Sequence, residues 1–187
     1  WDLLWRLAGE MGATHMVALG LSLAGSMLAF QVPREARERV ASFPGLGKLA
    51  EEVAKKTFEF SEFLVKKLGV TDLGASFPGK ATFHDGCHSL RERRIHEAPR
   101  KLMQRVRGLE LVEMKEKGCC GFGGTFSAKF PMISTAMGEV KCALAAETKA
   151  EYIVSNDSSC LMHIQGLLDR QGKSLKTIHL AEILAQQ

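Results

Sequence analysis

The chain has 187 residues, 45% hydrophobic and 25% charged, with a formal net charge of +4. That is long enough for one well-cored domain with additional material, and the balance excludes a disordered or fibrous chain. The longest apolar stretch, Met16 to Phe30, is interrupted by small polar residues and falls short of the ~20 residues needed to cross a bilayer.

Trp1 to Met11 is predicted as a short helix and Thr14 to Leu19 as an apolar strand, followed by a small-residue turn and helix and a loop holding Pro33 and Pro44. No basic segment precedes a hydrophobic core, the pattern of a chain without a secretory leader, which points to the cytoplasm. The start at Trp1 rather than Met also fits a fragment. From Leu46 to Leu68, Leu49, Val53, Phe60, Phe63 and Leu64 recur at helical spacing with Glu and Lys on the other face, predicting a long amphipathic helix closed by Gly69. Val70 to Gly79, with Gly74, Pro78 and Gly79, has the composition of a boundary.

Beyond it, strand and helix alternate. Lys80 to His84, Leu109 to Met114, Glu151 to Asn156 and Leu175 to Leu180 are predicted strands. Ala98 to Val106, with Pro99 in its first turn, Pro131 to Thr148, Ser159 to Arg170 and the C-terminal residues are predicted helices. Such alternation predicts an α/β fold, a Rossmann-like parallel sheet covered by helices.

Charge is concentrated in one place. Arg91 to Arg107 holds seven Lys or Arg and two Glu, a local +5 that leaves the remainder of the chain near −1. The stretch offers a docking face for an acidic partner or anionic lipid, so peripheral membrane contact is one reading. Nucleic acid is not expected, since aromatic residues are absent from it. The alternative is a solvated helix face with basic stems lying over apolar neighbours.

Five cysteines, an odd number without an export signal, argue for metal or redox use rather than a disulfide framework. Cys119 and Cys120 are adjacent, with Cα atoms ~3.8 Å apart across a trans peptide, below the usual ~4.4 Å limit for a disulfide. Cys87, Cys119 and Cys120, and Cys160 each follow a different predicted strand, and loops beyond the carboxyl ends of parallel strands share one edge. Four thiols are therefore expected to converge in a metal site at that edge. Cys142 lies about opposite the apolar stripe Ile133, Met137, Val140 and Leu144 of its helix, and is expected to be incidental.

A thiolate set of this size suits an iron-sulfur cluster or zinc. The spacing C-x31-C-C-x39-C lacks the close pairs usual in structural zinc sites. Gly121, Gly123 and Gly124 allow backbone to pass near a cluster and to adopt positive φ, and loop N–H groups or the helix start at Ser159 can donate to its sulfurs. Gly-Phe-Gly-Gly as a phosphate or flavin cradle is weak, for the G-x-G-x-x-G spacing is missing. Cys87 between His84 and His88 as a nucleophile is a further alternative, as is thiol-disulfide chemistry on the same cysteines.

Three motifs, "TFHDGCHSLRE", "KGCCGFGGTFSAKFP" and "SNDSSCLMHI", in this order and spacing resemble the second repeat of the cysteine-rich CCG-domain family. Within it they resemble the iron-sulfur subunit of bacterial L-lactate-utilisation complexes; the likeness to the glycolate oxidase iron-sulfur subunit and to heterodisulfide reductase is more distant. The resemblance implies a cluster, of 4Fe-4S type, held by Cys87, Cys119, Cys120 and Cys160. It implies electron transfer from an organic-acid oxidation site to an acceptor, with the other subunits of a lactate or glycolate oxidation complex as partners. The family pattern often closes with C-x-x-C, and His163 stands where the last cysteine would be, either as a metal ligand or as a neighbour that tunes the site. A zinc-bound assembly module is the alternative. Residues 12–27 align loosely with 149–164, placing Leu23 opposite Cys160. Residues 1–78 are thus expected to be a remnant or degenerate first repeat with a linking helix, and 79–187 the cluster-binding domain.

Overall fold

The computed structural model describes Val53, Lys56 and residues 57–187; the elements expected before Val53 lie outside them. Residues 61–187 form a compact unit. Residues 57–59 carry no helix, so the helix expected from Leu46 is not continuous to Leu68. A helical turn, Phe60–Glu62, and a wider π-type turn, Phe63–Lys67, precede Gly69, whose φ of 68° ends the segment as expected.

The unit contains four strands, β1 (Ser76–Phe83), β2 (Arg107–Leu111), β3 (Tyr152–Ser155) and β4 (Lys176–His179), all parallel in the order β2-β1-β3-β4. Between them lie α1 (Glu97–Met103), α2 (Thr125–Lys129), α3 (Pro131–Glu147) and α4 (Ser158–Arg170), and α5 (Leu180–Leu184) closes the chain. A second π-type turn, His88–Glu92, follows Cys87. The parallel α/β architecture is the expected one. β1 begins four residues before its predicted start and runs through the expected 78/79 boundary. Pro78 is tolerated because the ladder to β2 is irregular between Ser76 and Gly79 and β3 pairs only from Ala81. β2 is shifted toward its N-terminus, and α1 stops before Val106.

Both sheet faces are covered. Ile153 joins one core with Cys142, Ala145, Ile164, Leu167 and Leu168 of α3 and α4. Val154 is next on the strand and fully buried, so it faces the opposite side, where α1, α5 and β1 meet.

α3 is rotated relative to its apolar pattern. Ser134, Gly138, Lys141, Cys142 and Ala145 are buried, whereas Ile133 and Val140 are 55% and 59% exposed. The cause is Gly138, where an added Cβ would lie 2.2 Å from Leu167 Cδ1 and 3.1 Å from the Cys120 carbonyl. A face of small residues brings α3 against α4 and the cysteine loop more closely than branched side chains would allow. Cys142 is thus a core residue with its thiol toward the Ile164 carbonyl, and the expected apolar stripe is left partly in water.

Gly138→Val overpacks this contact and is expected to cost about 1–3 kcal/mol. At roughly 2–4 °C per kcal/mol for a chain of this size, its thermal unfolding midpoint drops by several degrees; an unchanged midpoint contradicts the packing described.

Candidate metal centre

The sheet order reverses direction between β1 and β3, so the loops leaving these neighbouring strands diverge and open a crevice at their carboxyl ends. The loop after β1 carries His84, Asp85 and Cys87; Cys160 lies in the first turn of α4, after β3. Cys119 and Cys120 reach the same edge on the connection between β2 and α2.

Two of the four sulfurs, those of Cys120 and Cys160, are in direct contact. Cys120 donates to Cys160 at 3.0 Å, and Cys119 interacts electrostatically with both Cys87 and Cys120. Interaction with Cys120 and then with Cys87, with help from the Gly121 amide, pulls the Cys119 thiol well below its ordinary pKa. Its neighbours move the other way: Cys87 is raised by its bond to Cys119 and by burial, and Cys120 by its bonds to Cys119 and Cys160 and by burial. Backbone donors reach the same sulfurs, Gly121 N to Cys119 Sγ at 3.3 Å and Phe122 N to Cys120 Sγ at 3.5 Å.

His84 was not anticipated as a donor. Its imidazole is 1% exposed, and neither ring nitrogen has a hydrogen-bond partner. A ring nitrogen lies within 4.8 Å of the Cys120 and Cys160 sulfurs, themselves within that distance of each other. Two orphaned nitrogens in a buried ring are costly unless something binds them, and the soft sulfurs beside them fit a metal. Burial, aided by the nearby Lys141 cation, lowers the His84 pKa from 6.5 to about 4, leaving the neutral imidazole that metals require. The available signal was positional, a histidine at the carboxyl end of β1 in His84-Asp85-Gly86-Cys87. His84 continues the sheet, its N–H donating to Val154 O at 2.7 Å and its carbonyl accepting from Ser155 Oγ at 2.8 Å.

His163 sits one turn beyond Cys160, outside the converging group of His84, Cys120 and Cys160. Its ring tilts against Phe122 at 5.9 Å, and its buried Nε2, also without a partner, faces Gly138. The glycines divide by role. Gly121, at φ 90°, admits α3, for a Cβ would fall 2.5 Å from the Ser134 carbonyl. Gly123 is bounded by Phe126, and Gly124, in the left-handed region, has open space around it. The α4 amides expected to face a cluster are engaged: Asp157 Oδ1 accepts from Ser159 N and Cys160 N. Gly86 lets the β1 loop approach that cap, its Cβ position lying 3.3 Å from Asp157.

Much of the basic segment is structural. Arg100 is buried and binds Asp85 through both oxygens at 2.9 Å, clamps Glu113, and lies over the Phe83 ring. Arg93 pairs with Glu62. His96 bridges Asp85 and Lys117, accepting from Lys117 at 2.9 Å on Nε2, which leaves the Nδ1 proton for Asp85. Arg91, Arg94, Lys101 and Arg105 are exposed. Beside His84 a cavity of about 10 Å3 has room for one water and not for an organic substrate.

Residues 81–165 match the cysteine-rich domain named CCG. The chain is 49% identical over 136 residues to "Lactate utilization protein A" of Oceanobacillus iheyensis, covering 72% of this chain and 56% of that protein. It is 46% identical over 142 residues to "Lactate utilization protein A 1" of Bacillus cereus (strain AH820) and to "Lactate utilization protein A" of Bacillus thuringiensis, covering 75% of this chain and 59% of each. The matched stretch thus spans less than three fifths of these relatives.

The neutral, buried His84 makes a pH prediction for the metal-free protein. Because its folded pKa lies below the unfolded value, the unfolded chain takes the proton first. Stability is full above about pH 6.5 and falls progressively toward about pH 4, by up to about 3 kcal/mol. Urea unfolding across that range checks it. His84→Gln is expected to flatten the pH dependence by up to one proton, and an unaltered slope contradicts the assignment.

Proposed function

We propose, for a chain whose residues 81–165 belong to the cysteine-rich CCG-domain family, that this domain is the iron-sulfur electron-transfer part of an L-lactate or related 2-hydroxy-acid oxidation complex. The observation that carries the reading is the convergence of the Cys120 and Cys160 sulfurs beside an imidazole with two orphaned nitrogens, with Cys87 and Cys119 on the loops that bring them there. The names of the relatives supply the connection to lactate. Its partners in this reading are the other subunits of a lactate or glycolate oxidation complex, and its setting is the cytoplasm. Among the described residues no helix is long and apolar enough to cross a membrane.

Cys87, Cys119, Cys120 and Cys160 hold the cluster, of 4Fe-4S type, and His84 offers a further donor with His163 behind it. A bound iron-sulfur cluster supplies one-electron oxidation and reduction at this site. The protein contributes the rest: the Gly121 and Phe122 amides donate to sulfur, which favours the reduced state, and burial keeps water from Cys120 and Cys160. No acid-base catalyst is required in such a role.

A second reading, a zinc-stabilised assembly module, is favoured by one specific observation. His84, Cys120 and Cys160 converge within 4.8 Å of one another, and a further cysteine, Cys119 beside Cys120, would make the three-cysteine, one-histidine set that structural zinc uses.

Anaerobic purification separates the two. Brown protein with broad absorption near ~400 nm and stoichiometric iron and sulfide upholds the cluster, and colourless protein with bound zinc sinks it. Cys120→Ser and Cys160→Ser are each expected to lose most of the iron. Comparing His84→Ala with His163→Ala assigns the nitrogen donor. The first is expected to change the electron paramagnetic resonance of the reduced protein while the second keeps its iron content; the reverse pattern moves the assignment to His163.

A further inference from the structure

Lys141 is the largest fully buried side chain among the described residues, 2% exposed on the inner face of α3. Its Nζ donates to the Glu116 carbonyl at 3.3 Å and meets Met114 Sδ at 3.9 Å. It also lies 3.8 Å from where a Cβ on Gly118 would stand. All three contacts are with the segment leading into Cys119 and Cys120. Among the described residues no carboxylate lies within salt-bridge distance of it, and both Asp85 oxygens are taken by Arg100.

A buried ammonium costs several kcal/mol unless negative charge compensates it, and one carbonyl does not. Burial is the largest influence and lowers its pKa, while Cys120, Cys87 and Cys119, followed by Asp85, act in the opposite direction. Thiolates at these positions are thus the compensating charge that its burial calls for. Packing alone has no use for an amine here, since a methionine would fill the same volume.

We propose that Lys141 is the buried counter-charge of the thiolate site, a positioning residue that anchors the Cys119–Cys120 loop and raises the reduction potential of the group the thiolates hold. The inference rests on the iron-sulfur reading and adds a residue to it. Uptake of one electron makes the site one charge more negative, with no covalent bond formed or broken; a fixed cation nearby favours that state. The amide donors at Gly121 and Phe122 act at the sulfurs, whereas Lys141 acts from beneath the loop.

The test uses the full chain, reconstituted anaerobically with iron and sulfide and titrated with dithionite in the presence of redox mediators. Lys141→Met, at matched iron content, is expected to be about tenfold harder to reduce, a midpoint about 59 mV lower for one electron. Lys141→Arg is expected to stay near the wild type. An unchanged midpoint in iron-loaded Lys141→Met overturns the proposal and leaves the cluster reading intact, whereas wild-type protein that takes up no iron fails the cluster reading itself. Should Lys141→Met lose its fold by circular dichroism, the same titration on Lys141→Gln, which keeps a donor for the Glu116 carbonyl, decides. If both neutral variants load no iron and Lys141→Arg does, the need for positive charge is upheld. If Lys141→Arg also fails to load, the role is one of shape and the proposal falls.

Discussion

Close approach of α3 to the cysteine loop is the constraint on which the rest of this domain depends. Two glycines permit it, Gly121 on the loop and Gly138 on the helix, each at a place where one methyl group would collide with its neighbour. The contact buries Cys120 and Cys142, sets Lys141 under the loop, and seats Leu167 of α4 against the same helix. With α4 drawn in, its first turn delivers Cys160 to Cys120. Convergence of sulfurs from separate loops is thus a result of helix packing as much as of strand order.

Polar groups around the sulfurs are handled in two ways. Asp85 and Arg100 satisfy each other completely, with Glu113, His96 and Lys117 extending the network toward solvent. A pair of that kind neutralises itself. His84 and Lys141 are treated oppositely: each is buried without a charged side-chain partner, His84 beside the Cys120 and Cys160 sulfurs and Lys141 under the segment that leads into Cys119 and Cys120. The contrast separates groups that hold the β1 loop in place from groups whose buried polar atoms are left without partners of that kind.

The alternation of strands and helices after Gly79 was legible because each element has the length and period of its type, and the thiols could be assigned to one edge because parallel strands send their loops there. Helix orientation was not. Periodicity weights Ile133 and Val140 as core residues, yet the space between helices is decided by how closely backbones approach, which a glycine and a serine control. His84 was missed for a related reason. In sequence it is one of two histidines flanking Cys87, and only pairing with β3 shows that it belongs to the strand while His88 begins the following turn. The basic segment was visible as charge but not as structure, since the partners of Arg93 and Arg100 lie elsewhere in the chain.

His84 differs from the sulfurs in being tied on both sides to β3, through the Val154 carbonyl and the Ser155 hydroxyl. A slip of one residue between β1 and β3 would turn that side chain to the opposite face of the sheet and replace it with Phe83 or Asp85. Strand registry therefore also specifies which side chain stands beside the Cys120 and Cys160 sulfurs. A bound metal would act as a proofreader of the central pairing, rewarding one alignment of the two strands and withholding that stabilisation from every other.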